Sequence, residues 1–130
     1  MNKQDLRDMY ASDSVLMDSF HIRSGAGLDA CTEDTWDIIK DCDKHLHDWG
    51  YFAIDRTDIV PKLCGFFIKP AYRNDEYKQL FYESLCLAMP NTFLSTLHNK
   101  NTRGIKFLLK FGKIVSVNDK HTFFVFKKGR

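Results

Sequence analysis

The chain has 130 residues, 44% of them hydrophobic and 28% charged, which is single-domain length with enough apolar material for one sizeable core and excludes a disordered chain. No apolar run approaches the roughly 18 residues of a membrane span, and "MNKQDLRDMYASDS" lacks the apolar stretch of a secretory signal, so a cytoplasmic protein without membrane contact is expected. Net charge is only +2, yet residues 1–60 hold 6 Lys/Arg against 13 Asp/Glu while residues 98–130 hold 9 against 1; such a split marks an anion-binding face, two chain ends that meet in the fold, or an acidic face meeting a basic one in an assembly.

Residues 1–50 read as a helical and irregular part. "NKQDLRDMY" is a short helix, "VLMDSFHIR" has strand character and "RSGAGLDA" reads as a turn. "CTEDTWDIIKDCDKHLHDWG" predicts a longer helix, capped by Thr32 or Asp34 and stopped by Gly50, with Trp36, Ile38, Ile39, Cys42 and Leu46 at helical spacing. "YFAIDR" and "LCGFFIKPAYR" are strands, the second closed by Pro70. "NDEYKQLFYESLCLAM" is a helix capped by Asn74 or Asp75, with acidic residues in its first turn and Tyr77, Leu80, Phe81, Ser84, Leu85 and Ala88 along one face. "TFLSTLH" is a strand, and "NTRGIKFLLKFGK" is a helix capped by Asn101 or Thr102 with Gly112 as its left-handed stop. "KIVSV" and "TFFVF" form a C-terminal hairpin across "NDKH", before a solvated "KKGR" tail. No linker or repeat interrupts this order. The expectation is therefore one α/β (α+β) domain, a mixed central sheet flanked by helices.

The four cysteines, Cys31, Cys42, Cys64 and Cys86, form no C-x-x-C pair and read as free thiols of a reducing compartment. "DCDKHLHD" places Asp41 and His45 four apart, but a metal needs further ligands that the sequence does not supply, so a solvated helix face with charge pairs is the expectation and no metal is assigned. Arg103, Lys106 and Lys110 form a basic stripe at i, i+3, i+7. With Lys113, Lys127, Lys128 and Arg130 they are either a phosphate-binding surface, which would also suit nucleic acid, or the charged outer face of a helix. Phe123, Phe124 and Phe126 alternate along a strand and read as packing.

"GFFIKPAYRNDEYKQLFYESL" and "LSTLHNKNTRGIKFLLKFGK" carry a resemblance to the GNAT fold, the Gcn5-related N-acetyltransferases, over residues 51–130. The first has a proline, an aromatic and an arginine before a loop and helix. In the second, Asn101, Ile105, Phe107, Lys110 and Gly112 fall at the family's spacing. The resemblance implies that Arg73, Asn74, Asp75 and Glu76 occupy the pyrophosphate loop of acyl-CoA. Asn101, Arg103 and Lys106 would assist, and His98, on the strand that borders the acceptor cleft, would be the general base.

The sequence departs from that family where the chemistry sits. The loop form [RQ]-x-x-G-x-[GA] is here Arg73 to Lys78, with Glu76 and Lys78 at the glycine and small-residue positions. Asp75 and Glu76 would repel a diphosphate, at about 1 kcal/mol per pair of like charges 4 Å apart in water. Leu108 stands where many members have a proton-donating tyrosine, and Lys113 where they have phenylalanine. These departures imply a GNAT-fold protein that has lost acyltransferase chemistry, needs no cofactor and works through protein contacts or self-association. The run "N-x-x-x-I-x-F-L" and the size also resemble small GNAT-like accessory or virion proteins of tailed phages, which implies the host cytoplasm or a virion. The alternative is a divergent acyl-CoA-dependent N-acyltransferase using acetyl-CoA. A nucleic-acid-binding module using residues 98–130 is the third reading.

Overall fold

Asn2 opens helix α1, Lys3–Ala11, through a reciprocal cap: its side chain accepts the Asp5 N–H at 2.9 Å, and Asp5 accepts the Asn2 N–H at 2.8 Å. The computed structural model describes residues 1–18, 27–89 and 91–127. Leu6, Met9 and Tyr10 line the inner face of α1. Residues 15–18 are helical where strand character is expected; the rest of that expected strand, and residues 23–26 of the expected turn, lie outside the described residues.

Helix α2, Gly27–Ile39, starts earlier and stops earlier than the sequence predicts. Thr32 is no cap; it lies inside the helix, and its hydroxyl donates to Leu28 O at 2.8 Å. The helix ends because Lys44 folds back over its C-terminus, with Nζ donating to Lys40 O at 2.8 Å, Cys42 O at 3.1 Å and Ile39 O at 3.3 Å. "DKHLH" then leaves as strand β1, Asp43–His47. Its histidines obey a period of two. His45 stacks on Phe52 at 4.7 Å and His47 on Trp49 at 4.6 Å, so Asp41 and His45 never share a helix face. His47 Nε2 is buried without a partner, and desolvation first, then His45, lowers its pKa. Among the described residues no His/Cys/Asp/Glu cluster is arranged to hold a metal.

Gly50 opens strand β2, Gly50–Asp55, rather than stopping a helix. Its φ is +150°, and a Cβ there would lie 1.9 Å from Phe67 O, so only glycine fits. Strand β3, Lys62–Ile68, is followed by a 3-10 turn, Pro70–Tyr72, and helix α3, Asp75–Ala88. Strand β4, Thr92–His98, leads to helix α4, Thr102–Leu108, and the hairpin of β5, Lys113–Val117, and β6, His121–Lys127.

The sheet runs β1-β2-β3-β4-β6-β5, antiparallel except for β3 beside β4. Alternation along β2 divides the core. Tyr51 and Ala53 pack with Leu6, Met9, Tyr10 and Ile39 from α1 and α2. Phe52 and Ile54 face the opposite layer, with Phe81 and Leu85 from α3 and Phe107 and Leu108 from α4. This is the mixed sheet flanked by helices that the sequence predicts. Gly112 is not a left-handed stop, since among the described residues only Gly27 and Gly50 have positive φ. Its role is packing: a Cβ there would lie 2.6 Å from the Phe126 ring. No helix among the described residues is long and apolar enough to cross a membrane.

Candidate functional site

Strands β3 and β4 each have seven residues but pair only at Lys62↔Leu94 and Leu63↔Ser95. The Ser95 hydroxyl donates to Leu63 O at 3.0 Å and pins the apex. Beyond it the ladder stops. The cause is local: in the β2–β3 ladder Ala53 pairs with Gly65 and Ile54 with Leu63, so Cys64 is an extra residue that bends β3. The parting strands open a cleft of about 1040 Å³.

One wall of the cleft is basic. Asn101, Arg103, Lys106 and Lys110 reach it from α4, and Lys78 from α3. Asn101 caps α4 by accepting the Gly104 N–H at 3.0 Å. Gly104 is required for this cap, because a Cβ there would lie 2.8 Å from the Asn101 amide. Arg103, Lys106 and Lys110 are exposed, and the stripe that in sequence suits either a phosphate-binding surface or a charged outer face borders the cleft. The other wall comes from the N-terminal third, which the sequence left without a function: Tyr10, Asp13, Val15, Leu16, Thr35 and Ile38 line it. The Tyr10 hydroxyl lies 3.2 Å from Thr35 Oγ1, and burial holds the Tyr10 and Tyr51 hydroxyls above the ordinary tyrosine pKa.

Arg73 also lines the cleft, but its guanidinium is engaged. Nε donates to Ile68 O at 2.7 Å, one Nη meets Asp13 Oδ2 at 2.6 Å, and the group lies 5.1 Å from the centre of the Phe67 ring. The Asp13 side chain is 3% exposed, so this ion pair ties the N-terminal wall to the end of β3. Asp13 Oδ1 also accepts the Leu16 N–H at 3.1 Å.

Three backbone donors around the α3 start are committed as well. Arg73 N–H goes to Pro70 O at 3.3 Å, Asn74 N–H to Tyr72 O at 3.0 Å, and Tyr77 N–H to the capping Asn74 side chain at 3.0 Å. Asn74, Asp75 and Glu76 are exposed and do not line the cleft. Asp75 faces Lys110 Nζ at 3.9 Å.

His98 is not in the cleft either. It stands exposed at the end of β4, with Nδ1 accepting the Lys100 N–H at 3.1 Å and its ring 5.6 Å from that of His121. Leu108 is 1% exposed in the core. The structure thus gathers Arg73, Asn101, Arg103 and Lys106 at one cleft and leaves Asn74, Asp75, Glu76 and His98 outside it.

No family model matches the sequence, and no curated protein matches it. Solved structures do. An acetyltransferase from Thermus thermophilus superposes with a TM-score of 0.65 at 12% identity, over 98% of this chain and 93% of that one. The PaiA N-acetyltransferase of Thermoplasma acidophilum, solved with coenzyme A, gives 0.58 at 14% identity over 98% and 95%. The PseH N-acetyltransferase of Campylobacter jejuni, solved with acetyl coenzyme A, gives 0.53 at 12% identity over 99% and 94%. These are acetyltransferases of cellular organisms and lend nothing to the virion role expected from the sequence. At such identities the likeness establishes architecture, and the architecture is the GNAT acetyltransferase fold.

Proposed function

We propose that the chain is a divergent acyl-CoA-dependent N-acyltransferase. The observation that carries this reading is the parting of β3 and β4 into a cleft with a basic wall. Past Leu63 and Ser95 the facing strand edges no longer pair with each other, and their backbone groups can meet an amide-bearing ligand in the cleft. Arg103, Lys106, Lys110 and Lys78 suit the phosphates at its basic end. Bound acetyl-CoA would supply the activated acyl thioester.

The chain's own part is to hold and orient. Val15, Leu16 and Ile38 on the N-terminal wall offer an apolar seat for the ligand beside the reacting groups. Leu108 gives no proton, so protonation of the leaving thiolate falls to the attacking amine's own proton or to water. His98 is too far along β4 to serve as base in this arrangement, since it does not border the cleft.

A second reading, a scaffold that acts through protein contacts or self-association, is favoured by the commitment of Arg73 to Asp13 and by the exposed Asp75 and Glu76. Calorimetric titration with acetyl-CoA separates the two. Saturable micromolar binding, weakened by Lys106→Glu with Lys110→Glu, is the expected result. No heat and no thermal stabilisation at millimolar ligand would remove the enzyme reading and direct the search to protein partners.

A further inference from the structure

Cys42 and Cys64 are 22 residues apart in sequence, and their sulfurs lie 3.3 Å apart. Cys42 follows α2 and is held by its N–H to Ile39 O at 2.9 Å. Cys64 is the bulged residue of β3, so the bend that opens the cleft also aims its thiol at Cys42. Both are half-buried, and each sulfur lies near a backbone carbonyl, Cys42 to Ile38 O at 3.6 Å and Cys64 to Lys62 O at 3.5 Å. Cys64 also borders the cleft, where a small reagent can reach it. A disulfide needs an S–S distance of about 2.05 Å, so closing the pair takes about 1.3 Å of side-chain movement.

We propose that Cys42 and Cys64 are a dithiol modification site, closed reversibly by exchange with a low-molecular-weight disulfide such as oxidised glutathione. The Cys64 thiolate attacks one glutathione sulfur, forming the mixed disulfide and releasing one glutathione thiolate. The Cys42 thiolate then attacks the Cys64 sulfur and releases the second. Two protein thiols are oxidised, one glutathione disulfide is reduced to two thiols, and the protein's two protons end on them. Burial, then the contact with Cys42, pushes the Cys64 thiol up to about 12, so closure speeds up with pH. The bond would fasten the α2–β1 junction to the cleft wall at β3. The pairing of these thiols rests on their own geometry and not on acyl-CoA binding, so the two readings are tested separately.

The test incubates the native full chain with oxidised glutathione at mildly alkaline pH, alkylates the remaining thiols and digests with trypsin. The expected product joins peptide 41–44 to peptide 63–73. Its intact mass is lower by two hydrogen atoms, and its Tm is higher by several degrees until dithiothreitol is added. A Cys31→Ser/Cys86→Ser chain should still close, and Cys42→Ser should not. Four alkylated cysteines, a stable mixed adduct with glutathione, or a cross-link that forms only in denaturant would overturn the proposal.

Discussion

The cleft has two cationic regions of opposite standing. At the α3 end Arg73 is tied to Asp13 and Ile68 O, and the first turn carries Asp75 and Glu76. At the α4 end Arg103, Lys106 and Lys110 are exposed, with Lys110 only loosely engaged, 3.9 Å from the exposed Asp75. Both helices are capped by an asparagine that accepts an N–H at 3.0 Å, so the difference lies in charge and engagement, not in helix ends. A charge counted in sequence is therefore not a charge offered to a ligand. Arg73, which the resemblance makes the first choice for a diphosphate, is largely structural, and the basic stripe that sequence leaves between a phosphate surface and a solvated face borders the cleft.

The largest effect should come from breaking the structural cation. Arg73→Ala leaves the buried Asp13 carboxylate without its cation and should cost about 3 kcal/mol of stability, or about 10 °C in Tm by thermal denaturation. A Tm within a couple of degrees of the parent would mean that Arg73 is available to ligand after all. Next, Lys106→Glu with Lys110→Glu should weaken acetyl-CoA binding by about tenfold or more at low salt, with little change in Tm. Calorimetry at two ionic strengths reads this, and an unchanged affinity would place the phosphates elsewhere.

The caps are the control for the shared feature. Asn74→Ala and Asn101→Ala should each cost about 1 kcal/mol, measurable by urea denaturation; a far larger loss at one of them would make the two helix ends unequal. The smallest effect is expected from Asp75→Asn with Glu76→Gln. Removing these exposed carboxylates should tighten acetyl-CoA binding by about two- to fivefold, and weaker binding would show that the acidic turn assists the ligand.

How much could be read in advance follows the range of each interaction. The starts of α3 and α4 were legible because Asn74 and Asn101 bond within three residues. The terminal hairpin was legible from the alternation of "TFFVF". Residues 40–50 were misread, because "DIIKDCDKHLHDWG" satisfies helical spacing as far as Leu46 as well as a period of two from Asp43. The fold-back of Lys44 onto the last carbonyls of α2 decides between them. His98 looked like a base because it ends the strand beside the cleft, but its ring turns toward His121. The N-terminal wall gave no functional signal, since Tyr10, Asp13 and Ile38 come to border the cleft only when α1 and α2 lie across the sheet.

By itself, the amino-acid order determined most of the helices and strands, their asparagine caps and the apolar faces that make a mixed α/β sheet. These depend on hydrogen bonds and periodicities that close within a few residues. Tertiary structure alone decided that β3 and β4 part after two pairs, that Arg73 meets Asp13 sixty residues away, and that Cys42 meets Cys64. Each of these depends on which surfaces the core brings together, and burial at a distance leaves no local pattern in the chain.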